Sequence, residues 1–124
     1  MTEQYLLVKV DGSVSVVEIH NSEFNERVYS LIDCSTYELV HLPGDFYLVV
    51  DELGKCYETP KPVNLKASML YPGTPYGDPI VGDVIIGRLG LVNGESDMIG
   101  LSEYDIMCFN KFFDLVAEKA EKLK

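Results

Sequence analysis

Tight-turn signals set between short β-branched runs constrain this chain more than any other feature. Asp11-Gly12 separates residues 5–10 from residues 14–19, where Val14, Val16 and Val17 resume the pattern. Asp-Gly readily takes the left-handed backbone of a two-residue loop, so the pair reads as a β-hairpin. Pro43-Gly44-Asp45 does the same between residues 37–42 and 46–50. Asp51-Glu52-Leu53-Gly54-Lys55 then leads into a further run at 56–58, which makes a meander. A long β-rich stretch, residues 80–92, closes on Asn93-Gly94, and its glycines at 82, 87 and 90 mark bulges or close approach.

Elsewhere the apolar period changes to that of a helix. Phe24, Val28, Leu31 and Ile32 form one stripe, which Asn21 or Ser22 caps and which ends near Asp33. Ser102 and Asp105 form a Ser-x-x-Asp capping signal for a helix running to about Leu123. Phe109, Phe112, Val116, Ala120 and Leu123 are its expected docking face. Residues 64–70 read equally well as helix or strand, and the proline- and glycine-rich residues 71–79 as an exposed loop. The expected fold is α+β: an antiparallel or mixed sheet of about six strands, with one internal helix and one C-terminal helix packed on it.

With 124 residues, 47% of them hydrophobic, the chain fits one domain with a core of its own, residues 1–124. Its net charge of −10 repels a phosphate backbone, so nucleic acid is excluded as a partner. The longest apolar runs, such as Val84-Ile85-Ile86, are too short to span a bilayer, and no signal peptide opens the sequence. The expected place is the cytoplasm, that of the host cell if the protein is phage-encoded. Cys34, Cys56 and Cys108 fall at wide, odd spacing, as small buried free thiols rather than a disulfide framework.

The sequence offers no catalytic set. His20 and His41 stand alone, without the local pairs of a zinc site, so neither metal nor cofactor is expected. Residues 82–89 (GDVIIGRL) imitate a phosphate-binding loop but place Arg88 and Leu89 where lysine and a hydroxyl residue must stand. No serine elbow and no activated cysteine accompanies a base. The expectation is therefore not an enzyme.

What remains is a binding inventory. Tyr71 and Tyr76 flank the proline-rich loop, Asn64 and Asn93 sit at loop or turn positions, and Arg88 is a lone cation on a long strand. Tyrosine stacks on a base, arginine holds a phosphate and asparagine pairs with amide-like edges, so these five residues are the candidate site for a small nucleotide-like ligand. The structural alternative for Arg88 is a cross-strand ion pair with Asp83 or Glu38. A small domain enclosing a charged ligand gains walls by pairing with a copy of itself, so a homo-oligomer is expected.

The motifs DELGK (51–55), Asn64, Ala67, Leu70-Tyr71, GDPIVGDVIIG (77–87) and GLSEYD (100–105) carry a resemblance. Over residues 6–105 the chain resembles an uncharacterised family of small proteins from phages, plasmids and conjugative elements of clostridia-like bacteria. Small phage proteins of this size and acidity include anti-defence sponges of the Thoeris type, which bind cyclic ADP-ribose isomers without chemistry. The resemblance implies a non-catalytic binding protein that sequesters a nucleotide-derived signal to counter host defence. The alternative is an acidic protein that inhibits a host enzyme by binding it.

Overall fold

The computed structural model describes residues 2–122. The N-terminal hairpin forms as expected from β1 (Thr2–Val8) and β2 (Val14–His20), in unbroken register from Thr2 opposite His20 to Val8 opposite Val14. Helix α1 (Phe24–Leu31) follows a 3₁₀ turn at Asn21–Glu23. Its entry is capped differently from expectation: the His20 ring accepts from the Ser22 backbone N–H, and Glu23 at the start of α1 gives no side-chain cap. Strands β3 (Tyr37–Leu42) and β4 (Phe46–Asp51) make the second hairpin.

The expected third strand of the meander, residues 56–58, is a turn instead. Asp51 winds it: its carboxylate accepts from Leu53 N at 2.9 Å and from Tyr57 Oη at 2.7 Å, so the chain coils back on the strand end. Residues 64–70 resolve as helix α2 (Leu65–Leu70), capped by Asn64, whose Oδ1 accepts from Ala67 N at 3.1 Å. The proline-rich loop contains one 3₁₀ turn, Thr74–Tyr76. Strand β5 (Val84–Val92) then forms a hairpin with β6 (Glu95–Ile99) around Asn93-Gly94, and helix α3 (Glu103–Lys122) ends the described chain.

All pairings are antiparallel, in the order β2-β1-β5-β4-β3, with β6 added to β5. β5 therefore joins the two earlier hairpins: Ile86 pairs with Leu6 on one side and Leu48 on the other. Side chains alternate across the sheet. Leu6, Val8, Leu48, Val50, Val84 and Ile86 face α2 and α3, while Tyr5, Leu7, Tyr47, Val49 and Ile85 face α1. Gly87 lies opposite Tyr47, and a Cβ there would come within 2.5 Å of the Tyr47 hydroxyl, so the glycine makes room for a buried ring.

The C-terminal helix docks with a phase different from the expected one. Phe113 is the buried anchor at 3% exposure, whereas Phe112 keeps 38%. Phe109 helps by packing edge-on against Phe46 at 5.0 Å between ring centres. Tyr104, Met107, Phe112 and Leu115 point outward as a second apolar stripe. Leu123 lies outside the described residues, as does the side chain of Ala120. The Ser102 cap holds as expected, with Asp105 N donating to Ser102 Oγ at 3.1 Å and Ser102 N donating back to Asp105 at 3.0 Å. Among the described residues no helix is long and apolar enough to cross a membrane.

Cysteine placement also departs from expectation. All three are free, but only Cys34 is partly buried; Cys56 sits in the turn after β4 and Cys108 on the outer side of α3, both exposed.

Candidate functional site

A cleft of about 510 Å3 opens beside β3. Its walls are Glu38–His41 of β3, the end of β4 with the following turn, and the segment from Tyr71 to Val81 that crosses the α2 side of the sheet. Val40, Val50 and Ile80 contribute to the core on this side and give the cleft an apolar floor. Glu38, Asp51, Glu52 and Asp78 border it, together with Lys55 and His41.

Two of these carboxylates are already committed. Asp51 is buried, and burial alone would raise its pKa; hydrogen bonds from Lys61, Tyr57 and the Leu53 N–H outweigh that and hold it below the usual carboxylate range. Lys61 Nζ stands 2.9 Å from Asp51 Oδ2 and also donates to the carbonyls of Ile32 and Asp33, at 2.9 and 2.6 Å, just past the end of α1. Tyr57, hydrogen-bonded to Asp51, has its own pKa pushed up to about 12. Asp78 takes Lys55 as ion partner and accepts from Tyr71 Oη at 3.2 Å; both bonds lower its pKa. Glu52 accepts from Thr36 Oγ1 at 2.9 Å. Glu38 stands within the β3–β4 ladder, and its carboxylate itself makes no hydrogen bond or ion pair among the described residues.

The five residues expected to bind a ligand do not meet. Tyr71 is in the cleft wall. Tyr76, on the 3₁₀ turn, is 90% exposed. Asn93 occupies the β5–β6 turn at φ 52°, the left-handed backbone of such a turn. Asn64 is buried, and its Nδ2 donates to Val8 O and Gly82 O, each at 3.0 Å, so its amide ties β1 to the strand entry. Arg88 pairs with Asp105 at 3.3 Å, not with Asp83 or Glu38, and lies over the Phe46 ring at 5.9 Å. Asp83 instead accepts from Val10 N at 2.9 Å. Arg88 borders a separate, shallow hollow of about 460 Å3, with Thr2, Gln4 and Ser102.

Residue-by-residue reading missed Glu38, Glu52, Lys55 and Asp78, because the cleft is assembled from segments far apart in the chain. One signal did point there: DELGK and the start of GDPIVGDVIIG, which carry the sequence resemblance, meet in its wall. Residues 1–116 match a family described as a domain of unknown function, DUF3846. The chain belongs to that family. No curated protein and no solved structure matches it. Among the described residues no group of three or more His, Cys, Asp or Glu is placed to hold a metal ion.

Proposed function

We propose that this DUF3846 protein is a non-catalytic binding protein that engages another protein through the acid-rimmed cleft beside β3. In the phage or mobile-element setting of the sequence resemblance, it would restrain a host enzyme by occupying it. The observation that carries this reading is an apolar floor of Val40, Val50 and Ile80 under a rim where Glu38, Glu52 and Asp78 stand against Lys55. Such a rim favours a cationic side chain and repels phosphate. Asp51 and Asp78 are held ionised by fixed partners, so neither is a proton donor at neutral pH.

Sequestration of a nucleotide-derived signal is the second reading, and one observation favours it: Arg88 keeps 43% of its side chain exposed beside the hollow at Thr2 and Ser102. Self-association would use the outer α3 stripe of Tyr104, Met107 and Leu115.

Calorimetry against oligolysine and cyclic ADP-ribose in parallel separates the two binding readings. Salt-sensitive binding of oligolysine, weakened at least tenfold by Glu38→Lys with Glu52→Lys, is the expected outcome. Binding of cyclic ADP-ribose alone, lost in Arg88→Ala, would replace the protein-partner reading with the nucleotide one.

A further inference from the structure

We infer that β3 receives an extended segment of the partner as an added strand, with a basic residue two positions from an apolar one; this rests on the protein-partner reading above. β3 is a terminal strand, paired with β4 on one side and with no strand on the other among the described residues. Such an edge presents unpaired N–H and C=O groups, the template that an extended peptide completes. Proline, lysine and a bulge, three of the usual blunting devices, are missing from it, and Glu38 is its one acidic residue. Tyr37–Leu42 contains no proline, lysine or glycine, and its register with β4 runs without a bulge from Tyr37 opposite Asp51 to Leu42 opposite Phe46.

β2, at the other end of the sheet, is as regular, so regularity alone does not choose β3. The cleft does. Four consecutive β3 residues, Glu38 to His41, border it. Val40 and Glu38 face it from the α2 side, while Leu39 packs on the α1 side, so the β3 backbone at Leu39 also borders the cleft.

The occupant's pattern follows from the same period of two. Glu38 and Val40 point to the α2 side of β3, and neighbours on that face are about 7 Å apart along a strand. A residue of the added strand near Glu38 and Glu52 meets negative charge, and the residue two positions away meets Val40 and Ile80. The complement is Lys or Arg, any residue, then an apolar side chain. Asp51 adds little to this attraction because Lys61 neutralises it, and Lys55 is held by Asp78.

The test uses an end-blocked peptide, Thr-Lys-Thr-Val-Thr-Lys-Thr, and two isomers N-methylated at alternate amides. One set of amides faces β3 and the other faces water. The parent peptide is expected to bind, one isomer to bind at least tenfold more weakly and the other to match the parent. Hydrogen exchange at the amides of residues 38–41 is expected to slow in the complex, and Glu38→Lys to weaken binding at least tenfold. Equal binding by both isomers would overturn strand addition while leaving the cationic cleft standing, as would binding of oligolysine without the parent peptide. Failure of the peptide and of oligolysine together would remove the underlying reading as well.

Discussion

Over one face of the sheet, Ala67 of α2, Phe113 of α3 and Leu101 just before α3 pack on Leu6, Leu48, Val50 and Ile86. Over the other, the eight-residue α1 brings Val28 and Ile32 to Tyr5, Tyr47, Val49 and Ile85. The first face closes mainly by apolar interdigitation, with the buried Asn64 and Ser68 side chains bonding the backbone of Val8, Gly82 and Ile80. The second has a short lid over large rings, and there polar contacts do part of the holding: Lys61 bonds the carbonyls of Ile32 and Asp33 and the buried Asp51 at once. A cation at the end of a helix also meets the negative end of its dipole. A lid too short to grip by area alone is held by a clamp at its end.

Phe113→Ala tests the apolar face and should have the largest effect, about 3–5 kcal/mol, because it empties a buried aromatic site. Phe112→Ala, on the half-exposed side of the same helix, should cost less than about 1 kcal/mol. Equal urea midpoints for the two variants would show that α3 does not close its face through Phe113.

Lys61→Met tests the clamp. It leaves Asp51 buried without its cation and should cost about 2–4 kcal/mol, the low side of the range for breaking a buried pair because Lys61 is partly solvated. The pH dependence sharpens it. Asp51 has a depressed folded pKa, so its stabilisation is present at neutral pH and is lost as pH falls through that folded value, below the ordinary carboxylate range. In Lys61→Met the folded pKa moves up toward or past the unfolded one, so less stability is lost on acidification and the deficit relative to the parent should shrink as pH falls. Parallel acid-denaturation curves for the two proteins would mean that the clamp contributes nothing.

The smallest effect is expected at Tyr47. Its hydroxyl is buried with no hydrogen-bond partner among the described residues, and burial pushes its pKa up. Tyr47→Phe removes an unsatisfied polar group and should leave stability within about 1 kcal/mol, with a gain favoured. A loss above about 2 kcal/mol in thermal unfolding would show that the hydroxyl is bonded in solution.

The hairpins were legible because their turns are local chemistry: Asp11-Gly12, Pro43-Gly44-Asp45 and Asn93-Gly94 each sit where the chain reverses. The phase of α3 was not, because its apolar residues cover two stripes, and Phe109 with Phe112 looks as good as Phe109 with Phe113 until the sheet is in place. Residues 56–58 were misread as strand because the bonds that coil them come from Asp51 and are invisible to periodicity. Residues 64–70 stay open between helix and strand as long as Asn64 is read as a ligand contact; as a cap, its Oδ1 satisfies a first-turn N–H and decides for helix. The cleft was the least legible part. Its charges come from three separated segments, and only the folded sheet brings Glu38 near Asp78.

The position of β5 bears on how the molecule is made. Synthesis delivers β1–β2 and β3–β4 first, and neither hairpin pairs with the other until Val84–Val92 has emerged. Before then β1 and β4 each present an open apolar edge, the kind that seeks partners in other chains. Closing the sheet requires strands far apart in sequence to meet on one late arrival, which places folding among the slower, non-local kind. The nascent chain is thus most exposed to aggregation in the interval between β4 and β5, and the loop and short helix between them set how long that interval lasts.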